Sequence, residues 1–251
     1  MTTIKKWVYP LGFLVLVTVS LEWVVQSGWI AAFLLPAPSQ VFAAFMVYRG
    51  DLVDAIATTA RATLIGLILS FALGQGLALT LSLSDTLRRA IFPIAVFFQT
   101  VPIIAIAPLL VIWFGYGEPT VRASAAIVSF FPLLSNALVG LESARREHLE
   151  LFQVLGASRW QRLIHLQIPS SLRSTFAGLK VAGGLAVVGA LVGEFVGGGG
   201  LGALIDTART QQRVDLVFAC VVLSAVLGLV IVSAVTVLER AVGRWRPFHE
   251  A

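Results

Sequence analysis

ESARREHLELFQVLGASRWQRLIHLQIP, residues Glu142 to Pro169, is a polar and basic stretch set among apolar runs long enough to cross a membrane. Within it Glu150 stands six residues before Gly156, and Leu166-Gln167-Ile168-Pro169 begins ten residues after that glycine. Leu149, Phe152, Val154 and Leu155 give a short helix an apolar surface, flanked by Arg145, Arg146, Arg159 and Arg162. A helix of that kind suits a groove on a soluble partner. An amphipathic loop lying on lipid headgroups would explain the arginines equally well, but not the Glu150–Gly156–Pro169 spacing.

Around this stretch the chain is 58% hydrophobic and 12% charged over 251 residues, with a mean hydropathy of +0.91. A soluble domain carries about 25% charged residues, so a multi-pass membrane protein is expected and a soluble protein with a rich core is excluded. The formal net charge of +5 does not point to nucleic acid, because the basic residues form no single stripe. The lone Cys220 lies in an apolar run, which removes a disulfide framework and a cysteine metal site. His148, His165 and His249 share no ligand spacing. The start, MTTIKKWVYPLGFLVLVTVSLEWVV, has the shape of a signal peptide, but Glu22 interrupts it where a cleavage site would be sought. An uncleaved first span is the expected form.

A membrane helix needs about 20 mainly apolar residues. Six segments qualify: 7–25, 58–83, 91–114, 121–141, 172–196 and 216–238. They give an all-α membrane protein with a single membrane domain over 1–251 and a polar loop at 142–169. With the N-terminus inside, Lys5, Lys6, Arg88, Arg89, Arg145, Arg146, Arg159, Arg162, Arg173, Lys180, Arg240, Arg244 and Arg246 lie on or nearest the cytoplasmic side. Arg49, Arg61, Arg122, Arg209 and Arg213 lie on the other. Thirteen against five follows the positive-inside rule and places both termini in the cytoplasm.

Between the first two spans, Leu34-Leu35-Pro36-Ala37-Pro38-Ser39-Gln40-Val41-Phe42 predicts an interfacial helix on the outer face, with Ser39 as N-cap. Ser70, Gly74 and Ala78 in the second span, and Gly189, Gly193 and Gly197 in the fifth, are small residues at four-residue spacing. Such rows let helix backbones approach closely in lipid, either for packing within the chain or along a permeation path or dimer seam. Pro93, Pro102 and Pro108 must bend or break the third span, which makes it a candidate cavity wall.

No G-x4-G-K-[ST] occurs, and the run Gly197 to Gly200 lacks a lysine to meet phosphates. The chain is therefore expected to hydrolyse no ATP. Serine–histidine–aspartate sets, paired catalytic carboxylates and HExxH are all missing, which argues against an intramembrane enzyme. Intramembrane acids are functional candidates by default. Glu22 lies near the outer end of the first span, where headgroup hydration accounts for it. Glu194 lies near the outer end of the fifth among Val192, Gly193 and Phe195. An ion-driven secondary transporter or channel is the rival class, but it would show inverted repeats and midplane charge pairs.

The 142–169 stretch resembles the cytoplasmic "EAA" loop of ABC-importer permeases, with Glu150, Gly156 and Pro169 at that pattern's E-A-A-x3-G-x9-I-x-L-P positions. Other stretches resemble the nitrate, sulfonate and taurine branch of that family: LPxPSQV near Ser39, Gln99-Thr100-Val101-Pro102 with Trp113-Phe114-Gly115-Tyr116-Gly117-Glu118, Phe130-Phe131-Pro132 with Asn136, Leu155-Gly156-Ala157-Ser158-Arg159, and Glu194 with Gly200-Leu201-Gly202. Leu151 and Phe152 replace the two alanines after the glutamate, so the docking helix is bulkier than the pattern. Gln99-Thr100-Val101 and Ser135-Asn136 lean toward permeases of vitamin-precursor systems of pyrimidine or riboflavin type.

The resemblance implies a type I ABC-importer permease fold of six transmembrane helices with cytoplasmic coupling helices, in a bacterial inner membrane. It implies a homodimer with two ATPase subunits that use ATP and magnesium, and an extracytoplasmic solute-binding protein. No cofactor is expected on this chain itself. Glu150, Leu151, Phe152, Leu155, Gly156, Ala157, Ser158, Arg159 and Pro169 are then the expected ATPase-coupling residues. Gln99, Thr100, Asn136 and Glu194 are candidates for the substrate path, with Glu194 either contacting substrate or shaping the gate. The solute expected is small, polar or anionic.

Overall fold

The computed structural model describes residues 3–31 and 33–245, so Arg246 and His249 lie outside the described residues. Along the chain run α1 (Thr3–Gln26), α2 (Pro38–Val47), α3 (Arg49–Ser82), α4 (Asp85–Thr100), α5 (Ile103–Phe114) and α6 (Glu118–Glu142). Then follow α7 (Arg146–Val154), α8 (Arg159–Arg162), a π turn over Leu163–Gln167, α9 (Ile168–Gly197), α10 (Gly200–Thr210) and α11 (Val214–Trp245). No strand occurs among the described residues.

Helices α3, α6, α11 and the continuous run through α8 and α9 are each long and apolar enough to cross a membrane, and α4 with α5 form a bent apolar pair, either one broken span or a re-entrant loop. Within α1 the apolar part, Gly12–Gln26, is a shorter helix than these spans. About half of α6 and α9 is buried (56% and 50%), against 33% of α3 and α11. The molecule is therefore built around the α6–α9 pair.

Small residues explain that axis. A Cβ on Gly189 would stand 2.8 Å from the Ser124 carbonyl oxygen and 2.9 Å from Ala125 Cα, and one on Gly193 2.8 Å from Val121 Cα. A Cβ on Gly74 of α3 would stand 3.2 Å from Leu133 Cβ of α6. Lipid offers no hydrophobic drive between helices, so backbone approach and dispersion hold them. Both glycine rows are thus occupied by packing within one chain. Ser124 adds a hydrogen bond, its Oγ donating to the Gly189 carbonyl at 2.6 Å.

The third span departs from a single rod over 91–114. α4 ends at Thr100, Val101 is extended (ψ 121), and α5 leaves at 100°. Pro102 accounts for the break, because its ring excludes the helical conformation from the residue before it. Pro93 and Pro108 lie inside α4 and α5 and break neither. The α2 helix also starts earlier than expected: Ala37 is its N-cap and Pro38 opens it, as the fixed φ of proline favours. Ser39 is therefore a helical residue, and its hydroxyl donates to Glu22 Oε1 at 2.6 Å while its N–H donates to Oε2 at 2.9 Å. Glu22 fastens α1 to the start of α2 and is more than a hydrated headgroup carboxylate. The helix α10 had no counterpart in the sequence reading.

Candidate functional site

The loop between α6 and α9 folds as two short helices around one glycine. α7 ends in a Schellman motif: the Gly156 N–H donates to Gln153 O at 3.0 Å and the Ala157 N–H to Phe152 O at 2.9 Å. That pattern puts the residue after the C-cap in the left-handed region, and Gly156 has φ +68. Next, Ser158 Oγ accepts from the Gln161 N–H at 3.2 Å and Gln161 Oε1 accepts from the Ser158 N–H at 2.7 Å. This reciprocal capping box starts α8. Its S-x-x-Q signal is plain in Ser158-Arg159-Trp160-Gln161.

Leu163 and Leu166 of the π turn are buried, and Leu163 packs with Leu81, Leu138 and Leu141 of α3 and α6. The loop is therefore rooted in the helical core, while its tip faces outward. Val154 is 85% and Leu155 70% exposed, and Leu151 and Trp160 are exposed beside them. Phe152 and Ala157 are half-buried. Glu150 accepts from Arg146 Nε at 3.1 Å on the exposed face of α7, so it braces its own helix and not the turn. Arg159 Nη1 reaches the Leu83 carbonyl at 3.4 Å, at the C-terminal end of α3, where a cation suits the helix dipole. Pro169 sits in the first turn of α9, where its missing N–H does no harm. Arg88 of α4 and Glu142 of α6 form an ion pair at this same end, and Lys180 of α9 pairs with Glu239 of α11. The Lys180–Glu239 pair escaped the sequence reading, since its members lie 59 positions apart.

The four candidate path residues do not share one surface within the protomer. Gln99 and Thr100 are exposed at the broken end of α4, and the Thr100 hydroxyl donates to Phe97 O at 2.7 Å. Asn136 is half-buried on α6, donating to Pro132 O at 2.8 Å, and its side chain lies against Gly178 of α9. Glu194 is enclosed, 1% exposed. Its Oε2 accepts from the Gly202 N–H at 2.8 Å, in the first turn of α10. Thr59 of α3 accepts from the neighbouring Leu201 N–H at 2.9 Å. Side chains from α3 and α9 therefore cap α10 jointly. Beside this junction an open pocket of about 350 Å³ is lined by Thr58, Tyr116, Gly117, Glu118 and Gly197–Gly199. Arg61 and Arg122 both meet Glu118 there.

The helical core, the rooted glycine-hinged loop and the broken third span together define a membrane transport subunit. The chain belongs to the family described as binding-protein-dependent transport system inner membrane component, whose model matches residues 62–244. It is the inner-membrane permease of an ABC importer, working with a separate ATPase and a binding protein. It is 37% identical to the formylaminopyrimidine transport permease protein ThiX of Halalkalibacterium halodurans, over 94% of each chain. It is 27% identical to the taurine transport system permease protein TauC of Escherichia coli K12, over 96% of this chain and 93% of that one. Among solved structures, the inward-facing MetNI methionine ABC transporter matches with a TM-score of 0.68 at 19% identity, covering 76% of this chain and 95% of its own.

Proposed function

We propose that this permease works as a homodimer of six-span, single-domain protomers, carrying two copies of the ATPase on the 142–169 loops. Both termini and those loops face the cytoplasm, as the excess of Lys and Arg on that side supports. ATP and magnesium bind the ATPase, and Glu150, Leu151, Phe152, Leu155, Gly156, Ala157, Ser158, Arg159 and Pro169 carry its movement into the membrane. The observation that carries this reading is the exposed apolar tip of α7, held on a Schellman turn and rooted in the core through Leu163. A rigid lever with an apolar end is what force transmission from a soluble partner requires. A binding protein delivers the solute to the opposite face, and Gln99, Thr100 and Asn136 line its path.

The solute is a small polar vitamin precursor of the pyrimidine kind. Identity of 37% to a formylaminopyrimidine permease, against 27% to a taurine permease, supports that class over sulfonates. The test is uptake of labelled formylaminopyrimidine and of labelled taurine by vesicles holding the permease and its ATPase, with the cognate binding protein added. ATP-dependent accumulation of the pyrimidine alone is expected. Accumulation of taurine alone would reverse the substrate assignment, and accumulation without ATPase would end the importer reading.

A further inference from the structure

The Glu194 carboxylate is a half-met cap. Oε2 takes the Gly202 N–H, while Oε1 has no hydrogen-bond partner. The Thr59 hydroxyl lies beside it, but gives its hydrogen to the Ala55 carbonyl at 3.1 Å. A Cβ on Gly200 would overlap both Oε1 and Thr59 Oγ1, so the first turn of α10 sits hard against the carboxylate. Buried acceptors are nearly always satisfied, and an exception marks stored strain or function. The segment joining Glu194 to α10 is equally unusual. Gly198, Gly199 and Gly200 have φ of +83, +83 and +64 in succession, a conformation open to glycine alone at no penalty. Just before them Gly197 is pinned, its carbonyl accepting from the Gly117 N–H at 2.9 Å. At its far end α10 is held by the Arg213 N–H on Ala208 O at 2.8 Å and by the Arg213–Asp215 pair.

We propose that Glu194 and Thr59 form a releasable latch on the N-terminal turn of α10, which swings about Gly198–Gly200 during each transport cycle. Glu194 is then a positioning residue for transport and touches no solute. The latch holds in this conformation at the cost of one unmet oxygen, and that oxygen gains a donor when the turn lifts. Both bonds of the latch converge from different helices, α9 and α3, so a relative shift of those two spans releases it. The inference rests on the importer reading for the motion that drives it, and adds the element that moves.

Cys220, the one cysteine of the chain, reports on this directly. It is fully buried under α10, in one cluster with Leu201, Ile205 and Ala208, so a lifted turn exposes its thiol. The permease–ATPase complex is treated with a membrane-impermeant maleimide, and modification of the Cys220 peptide is followed by mass spectrometry. Slow labelling without nucleotide is expected, rising about tenfold or more, the scale of two buried hydrogen bonds lost, when ATP, magnesium and vanadate trap the ATPase. Glu194→Gln is nearly isosteric and replaces the unmet oxygen by an amide that can donate to the neighbouring Thr59 Oγ1, so it tightens the latch. Its labelling should stay at the resting rate in the trapped complex, and its uptake should fall with ATPase co-purification unchanged. Glu194→Ala should label quickly without nucleotide. Equal wild-type labelling in both states overturns the proposal, as does a Glu194→Gln variant that labels and transports like wild type. Neither result touches the importer reading, which stands on ATP-dependent uptake by the wild type.

Discussion

Replacing Gly156 isolates what the turn between α7 and α8 contributes to the proposed coupling. At φ +68 an L-residue is about 1–2 kcal/mol less stable than in the right-handed region. A Cβ there would meet nothing within 4 Å, so no clash adds to that figure. Gly156→Ala should therefore lower the population of the formed turn by roughly 5–30-fold relative to its open forms. Gly156→Val is worse, because a β-branched residue in the left-handed region is a true outlier. Gly156→Asn should be close to wild type, since asparagine enters this region readily. The ranking Gly, Asn, Ala, Val is a signature of backbone conformation and not of side-chain size. Affinity of the detergent-solubilised permease for its purified ATPase, measured by biolayer interferometry, reads it out. The loop tip is exposed, so the melting temperature of the permease should not change. If Asn binds as poorly as Val, a contact to the glycine itself governs docking. If all four bind alike, the turn is not part of the coupling surface and the reasoning fails.

Gly189→Ala presses a methyl against the Ser124 carbonyl and Ala125 Cα of α6, and overpacking of this kind costs about 1–3 kcal/mol. Its melting temperature should drop, whereas Gly184→Ala, with nothing within 4 Å, should be neutral or raise it by helix propensity; the reverse order would contradict the α6–α9 packing. Gln99→Leu, at the exposed end of α4, should reduce uptake with complex assembly intact, and normal uptake in both Gln99→Leu and Asn136→Leu would remove these residues from the path. A reporter inserted near Glu147 should read as cytoplasmic and one near Asp51 as external, and a swapped result would defeat the orientation.

Much of the architecture was legible because lipid makes strong demands on local sequence. A span must be apolar for about 20 residues, so segments such as 121–141 and 216–238 announce themselves, and α6 and α11 contain them. The polar loop at 142–169 was legible for the opposite reason. A charged insertion among such runs has to leave the membrane, and Gly156 within it has a purely local task that one residue can fulfil. Pro102 shows the boundary of that logic. Three prolines promised a bend in the third span, and only the fold selected which one breaks it.

Tertiary structure alone decided the rest, because the deciding contacts join residues far apart in the chain. The glycine row of α9 could have faced lipid, a second copy or its own α6, and only the approach of Gly189 to Ser124 settles that it faces α6. The α10 helix was invisible because its N-terminus is capped in trans. Its donors go to Thr59, 142 positions before Leu201, and to Glu194, so no Ser, Asp or Asn marks its start. Glu194 drew attention as an acid within a span, which composition reveals. That it is sealed beneath α10 with one oxygen unmet depends on three helices meeting, and no local pattern carries that information.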